Sequence, residues 1–244
     1  MVVKKEILGL IPARGGSAGL PGKNIKLLKG IPLIGHTILK AKKSKLIDKV
    51  IVATDNDEIA KVALEYGAEV PFKRPDEISG PKSHGFEVFK YSLNWLKENE
   101  NYNPDILCTM LCTTPFLTTE DIDACLIKMI NNEYDWCFTI NEIEHHPYRA
   151  MILEGDLMHP MFNLENNKLW GNRQEFPAVY RFNGGVIATK TEHIRNHNEY
   201  NIDNLKHGNT RVGYIIMPQE RSIDIDTASD FEFVELLLQK RDLK

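Results

Sequence analysis

Between Leu10 and Lys26 the chain reads LIPARGGSAGLPGKNIK. An apolar run passes directly into a loop that holds four glycines, Gly15, Gly16, Gly19 and Gly22, together with Arg14, Lys23 and Lys26. Those residue types suit a nucleoside triphosphate. Glycine lets the backbone approach an anion closely, successive N–H groups form a concave nest, and Arg and Lys add charge-assisted hydrogen bonds. The spacing matches neither common phosphate motif: Lys23 is followed by Asn24 rather than Ser or Thr, and the glycines do not make a dinucleotide fingerprint. A flexible surface loop after a strand is the plainer alternative, and the gathering of cations argues against it.

The second chemical feature lies near the other end, in Ser222-Ile223-Asp224-Ile225-Asp226-Thr227. Alternation along an extended chain puts Asp224 and Asp226 on one face and Ile223 and Ile225 on the other. Neighbouring carboxylates repel each other unless a divalent cation lies between them. Oxygen-only ligands suit Mg²⁺, with Mn²⁺ as the alternative, and Mg²⁺ keeps waters while binding substrate phosphate. Solvent-facing acids at the end of a strand are the other reading of an isolated D-x-D, and the phosphate loop elsewhere favours the metal.

These features need a frame. At 244 residues, 42% hydrophobic and 26% charged, the chain can bury one sizeable core with an appendage. A net charge of −4 supports neither a nucleic-acid nor an anionic-membrane partner, so the loop cations are aimed at a small anion. Cys108, Cys112, Cys125 and Cys137 lack metal-ligand spacing and sit in apolar segments, which predicts buried thiols of a cytoplasmic protein. No stretch is apolar for long enough to span a bilayer, and Met1 to Glu6 shows no signal-peptide pattern.

Short apolar runs alternate with amphipathic ones, the pattern of an α/β protein with a largely parallel sheet. Strands are predicted at Ile7–Ile11, Lys49–Ala53, Ala68–Phe72, Ile106–Leu111, Trp136–Ile140, Gly185–Thr189 and Gly213–Met217. Helices are predicted at Ile31–Lys42, Asn56–Tyr66, His84–Glu98, Glu120–Asn131 and Ala228–Lys240, with Asp55 and Glu58 as a capping box and Thr227 capping the last. The glycine-rich loop then joins a strand to a helix at the carboxyl edge of the sheet, where α/β folds bind ligands. Residues 142–182 break the alternation with His145, His146, Pro147, Pro160, Trp170 and Pro177, and read as an excursion that returns to the sheet at Asn183.

Taken together and in this order, the motifs resemble those of the CMP-sialic acid synthetases, the cytidylyltransferases that activate nonulosonic acids, including their legionaminic branch. The resemblance rests on Arg14, Ser17, Gly19, Leu20, Pro21, Lys23 and Asn24 after the first strand, and on Glu144-His145-His146-Pro147. It continues through Arg173-Gln174, Pro177, Arg181, Asn183 and Gly184, and ends with Ser222 to Thr227. It implies one cytidylyltransferase domain over 1–244, with a Rossmann-like three-layer nucleotidyltransferase fold, a mostly parallel mixed sheet and an inserted arm, 142–182, that forms a homodimer. It assigns Arg14, Ser17, Lys23, Asn24 and Arg74 to CTP, and Asp224 and Asp226 to Mg²⁺ or Mn²⁺. Arg173, Arg181 and Asn183 go to the sugar acid, and Arg149 stands where the family has a Lys that reaches over from the neighbouring subunit. Arg14, Lys23, Asp224 and Asp226 would then carry cytidylyl transfer from CTP to a nonulosonic acid, with release of pyrophosphate.

The chain also departs from that family. Ala18 replaces a Lys beside the triphosphate, and losing such charge neutralisation costs on the order of 10²-fold in rate. Leu111 to Leu117 replace a stretch that carries a Gln and an Arg in the family, which favours a less hydroxylated acid of legionaminic type. The Pro81-Lys82-Ser83 region lacks the family's Asp. Two alternatives stand beside this reading: a CTP-dependent nucleotidyltransferase for an octulosonic acid, and a nucleotide-binding homologue weakened by Ala18.

Overall fold

Runs such as Ile-Leu-Gly-Leu-Ile-Pro, Lys-Val-Ile-Val-Ala and Ile-Leu-Cys-Thr are buried at nearly every position, as expected of strands covered on both faces. A computed structural model of the chain describes residues 4–17, 19–162, 172–196 and 210–242. Its first half holds β1 (Ile7–Pro12), the short β2 (Leu27–Leu28) and β3 (Ile31–Pro32), α1 (Leu33–Lys43), β4 (Lys49–Ala53), α2 (Asp57–Glu65) and α3 (Gly85–Glu100). Then come β5 (Ile106–Thr109), α4 (Thr119–Asn131), β6 (Trp136–Glu142), β7 (Met151–Glu154) and β8 (Leu157–Pro160). The described chain closes with β9 (Tyr180–Lys190), α5 (Thr191–Asn196), β10 (Val212–Ile216) and α6 (Ala228–Asp242).

Six strands form one mixed sheet in the order β10-β6-β9-β5-β1-β4. The β1–β4, β1–β5 and β6–β10 pairs are parallel, and β9 is antiparallel to both β5 and β6. Side chains of α1, α2 and α4, among them Ile34, Ile38, Ile59, Ala63, Ile122 and Leu126, pack on one face of the sheet. On the other face Phe86, Phe89, Leu93 and Leu96 of α3 join Ile194 of α5. The result is the expected three-layer α/β architecture. A third, smaller cluster of Leu28, Leu33, Phe116, Ile225, Phe231 and Val234 lies where α6 meets the β2–β3 ribbon. All four cysteines are free and buried, as their apolar settings suggested.

Several elements differ from the sequence reading. Ala68–Phe72 is not a strand: it meets β4 only at an isolated bridge, Ile51 with Glu69, and a second bridge, Thr54 with Lys73, lies one residue beyond each. Pro71 has no N–H to continue a ladder between them. The predicted Asp55–Glu58 capping box is absent; Asn56 caps α2 by accepting from the Ile59 N–H at 2.9 Å, and Asp55 instead accepts the Gly15 N–H. At α6 Thr227 does cap, with Asp230 accepting from the Thr227 N–H at 2.7 Å and donating its own N–H to the Thr227 hydroxyl at 3.3 Å. The excursion returns earlier than Asn183, because β9 already pairs Tyr180 with Glu142. Within 142–182, β7 and β8 form a hairpin whose turn uses Gly155 at φ 59°. Ala18 and Trp170 lie outside the described residues, as does the side chain of Arg173.

One tether in the frame titrates in an accessible range. Lys40 on α1 donates to the Pro115 carbonyl and so holds the loop that follows β5, and burial pushes its ammonium down to about 8. The folded pKa lies below that of an exposed lysine. Between the two values the unfolded chain therefore binds the extra proton, and the Lys40 contribution to stability rises with pH across that window. Burial raises the Cys108 and Cys112 thiols, which act in the opposite sense in wild type and variant alike, so the difference isolates Lys40: chemical denaturation from pH 7.5 to 10.5 should show the wild-type chain gaining stability relative to Lys40→Met.

Candidate functional site

The chain leaves β1 at Pro12 and is held by the Ala13 N–H on the Ala53 carbonyl at 3.0 Å. The next contacts fix the loop's shape. Gly15 N–H donates to Asp55 at 2.8 Å, the Arg14 guanidinium donates to the Gly80 carbonyl at 2.8 Å, and the Ser17 N–H turns back on Gly15 at 3.1 Å. Asn24 is buried, donates to the Arg14 carbonyl at 2.9 Å and accepts from the Cys112 thiol at 3.0 Å. Burial pushes that thiol up to about 12, so it stays protonated and keeps donating.

The far end of the chain closes on this loop. Lys23 Nζ donates to the Ile225 carbonyl at 2.8 Å and to Asp226 Oδ1 at 3.0 Å. A Cβ at Gly19 would stand 2.4 Å from the Asp226 carbonyl oxygen, so glycine is required there by close backbone approach rather than by flexibility. Together they enclose a cavity of about 480 Å³, lined by Pro12, Arg14, Ser17, Gly19, Lys23, Asn24, Leu111, Cys112, Thr113, Asp224, Asp226 and Thr227.

Residues 222–226 form no ladder, yet both carboxylates line the cavity while Ile225 is fully buried in the third cluster. The alternation survives because the segment is pinned from several sides. Ile225 N–H donates to the Thr113 carbonyl at 2.9 Å, and Ser222 Oγ accepts from Asn183 at 3.0 Å while donating to the Pro218 carbonyl at 2.9 Å. Just before it, Arg221 forms a two-pronged ion pair with the buried Asp121 at the start of α4, with Nη2 to Oδ1 at 3.0 Å. Burial raises the Asp224 carboxyl above its usual range and the Asp226 charge adds to this; the Thr113 hydroxyl, Lys23 and Arg181 act in the opposite sense. Asp224 Oδ1 is buried and has no hydrogen-bond partner.

Of the residues singled out from the sequence, Arg14, Ser17, Lys23, Asn24, Asp224 and Asp226 meet at the cavity. Others have different work. Arg74 does not line it: its buried guanidinium grips the Ile78 carbonyl, with Nε at 2.8 Å, and so shapes residues 75–79. Asn183 is fully buried with every polar position committed, donating to Ser222 Oγ and Met217 Sδ and accepting from the Thr139 hydroxyl and the Gly185 N–H. Through these bonds Asn183 supports the acidic segment. Arg181 is exposed on β9, reaches the Ser222 carbonyl at 3.4 Å, and lies within electrostatic range of Asp224. Arg149 sits on the arm over the Phe176 ring at 5.5 Å, away from the cavity of its own chain. His146 accepts from the Tyr148 N–H at 3.2 Å and meets the Pro177 carbonyl at 3.1 Å, holding the base of the arm. The sequence reading missed Thr113, Arg221 and Asp121; the Thr-Thr-Pro after β5 was the available signal for the first.

The chain is similar to known proteins at three levels. A family model described as Cytidylyltransferase matches residues 8–243. Among curated relatives, the pseudaminic acid cytidylyltransferase of Campylobacter jejuni is 30% identical over 94% of this chain and 95% of its own. The N-acylneuraminate cytidylyltransferase A of Danio rerio is 34% identical over 95% of this chain, which spans only 50% of that relative's length. Among solved structures, a CMP:2-keto-3-deoxy-manno-octonic acid synthetase complexed with CTP superposes with a TM-score of 0.69 over 97% of this chain and 99% of its own, at 17% identity, a likeness of fold.

Three substitutions separate scaffolding from binding here. Gly19→Ala should force the loop off Asp226, destabilise the fold by about 1–3 kcal/mol and weaken CTP binding, read by thermal unfolding and calorimetry. Asn183→Ala leaves the Thr139 hydroxyl and Gly185 N–H without their acceptor and should destabilise by about 2 kcal/mol or more in urea titration. Arg181→Ala, at the surface, should leave the midpoint within about 0.5 kcal/mol of wild type.

Proposed function

The chain belongs to the cytidylyltransferase family, and from this premise we propose that it activates a nonulosonic acid with CTP, giving the CMP-sugar and pyrophosphate. One observation carries the reading: the cationic glycine-rich loop and the Asp224/Asp226 pair share a single cavity, joined by Lys23. The triphosphate lies along Arg14, Ser17 and Lys23. Arg14 exchanges its Gly80 carbonyl for a phosphate oxygen, and Lys23 stands between the phosphates and Asp226. Arg181, with Arg173, takes the acid's carboxylate, for which guanidinium is the best two-pronged partner. The acid's anomeric hydroxyl oxygen then attacks the α-phosphorus, the bond from that phosphorus to the bridging oxygen of pyrophosphate breaks, and the hydroxyl proton passes to a carboxylate of the pair or to solvent. The protein's contribution is alignment and charge neutralisation.

The residues fit Mg²⁺ or Mn²⁺. Asp224 Oδ1 is a buried anionic oxygen without a partner, and the donors are hard oxygens. Among the described residues no three His, Cys, Asp or Glu side chains converge as a cation cage, so Asp224 and Asp226 would hold the ion together with substrate phosphate and water. When bound, the ion supplies Lewis acidity and charge neutralisation at the phosphates.

Leu111 at the cavity wall supports an acid with deoxy and acylamino positions, of legionaminic type, over a fully hydroxylated one. The arm supports a homodimer: Ile152, Leu153, Leu157 and Met158 of the β7–β8 hairpin are all more than half exposed, an apolar surface that a second copy would cover and that would bring Arg149 to a neighbouring site. No helix among the described residues is long and apolar enough to cross a membrane, and four buried free thiols accord with a cytoplasmic setting.

Incubation with CTP, Mg²⁺ and separate acids tests the reading by pyrophosphate release. A legionaminic-type acid should give the highest kcat/KM, and Ala18→Lys should raise it on the order of tenfold or more. Equal kcat/KM with N-acetylneuraminic acid would remove the narrower assignment. A response only to an octulosonic acid would replace the acceptor class, and no release with any acid would leave a nucleotide-binding homologue.

A further inference from the structure

Near the end of β6 a buried side chain has no assigned task. Asn141 is 2% exposed, and its Nδ2 donates to the Glu142 carbonyl at 2.8 Å, which fixes which end of the amide is which. Its Oδ1 has no partner. Leaving a buried acceptor unpaired costs about 1–3 kcal/mol, so a side chain held this way calls for a ligand. Its surroundings say which. Asn141 pairs directly with Arg181 across β6 and β9, which places both on one face of the sheet. Thr139, two residues earlier on that face, bonds Asn183, which bonds Ser222, whose carbonyl takes Arg181. Asn141 is therefore the strand neighbour of the arginine assigned to the acid's carboxylate, on the face from which Thr139 and Asn183 hold the segment that carries Asp224.

A second unpaired buried oxygen lies by the same strand: Thr114 Oγ1 is 3.8 Å from where a Cβ of Gly184 would stand. The Asn141 oxygen can only accept. A ligand matching it presents an N–H or O–H donor, and the Leu111 wall beside Gly184 takes its apolar part.

We propose that Asn141 is a specificity-determining residue for the acceptor, its carboxamide oxygen accepting a hydrogen bond from an acylamino N–H or a hydroxyl of the sugar acid whose carboxylate Arg181 holds. This rests on the reading of the site as one for a nonulosonic acid. It also predicts an unusual split. Because the oxygen is unsatisfied in the free protein, Asn141→Leu, of similar volume, should leave the melting temperature unchanged or raise it. The same variant should raise KM for N,N'-diacetyllegionaminic acid, or for whichever acid the wild-type enzyme prefers, by about tenfold or more, with KM for CTP within twofold. Asn141→Ala, which removes the same oxygen without adding a branched side chain, should give the same selective rise. An unchanged KM for the acid in both variants overturns the proposal, as does a rise in both KM values with a lowered melting temperature, the mark of a structural role. Wild-type enzyme that turns over no acid overturns the functional reading and this inference with it; normal wild-type turnover with unaffected variants overturns this inference alone.

Discussion

A single ammonium joins two parts of the chain that are 203 residues apart. Lys23 is largely buried, and it donates at once to the backbone of Ile225 and to the carboxylate of Asp226. A surface ion pair of this length would contribute little. Here the cation is sheltered and one of its bonds goes to a carbonyl, so the contact sets register: it decides which residues of the glycine-rich loop face which residues of the acidic segment. Gly19, seated against the Asp226 carbonyl, allows the two backbones to approach closely enough for it to form. The cavity exists because these strands of chain are closed on each other.

Around that junction the fold commits polar groups to holding the acidic segment still. Asn183, Ser222, Arg221, Asp121 and Thr113 form bonds that touch no part of the phosphate loop yet determine where Asp224 and Asp226 stand. On the opposite wall, Asn24 and the Cys112 thiol fix the carbonyl of Arg14 and leave its guanidinium to reach Gly80. Asp224 bears the consequence of this arrangement, buried, raised in pKa and with one oxygen unpaired. A fold stores that kind of unfavourable electrostatics where a ligand relieves it.

The layers of this fold were legible in the residues because strand and helix periodicities are local. β1, β4, β5 and α1 to α4 stand within a few residues of where apolar spacing placed them. Pro71 misled because the flanking Val and Phe look like a strand, while the missing N–H shows its effect only beside β4. The loop and the D-x-D were legible for the same reason that they are chemically unusual. Roles were harder than membership. Arg74 and Asn183 carry the right residue types for ligand contact, but only three-dimensional bonding shows their polar atoms already engaged, with Ile78 in one case and with Ser222, Thr139, Met217 and Gly185 in the other. Asn141 was invisible from the sequence, since an asparagine at the end of a strand carries no signal until its oxygen is found unpaired beside Arg181.

On the proposed function, loop and acidic pair are one site, in which the carboxylates serve the nucleotide only through a divalent cation. Calorimetric titration of CTP into the wild-type chain and into Asp224→Asn, each with and without Mg²⁺, measures that coupling directly. Mg²⁺ should tighten CTP binding by about tenfold or more in the wild-type chain, a coupling of roughly 1.4 kcal/mol, and by less than twofold in the variant. Equal CTP affinity with and without Mg²⁺ in the wild-type chain, or the same enhancement in both proteins, would contradict it.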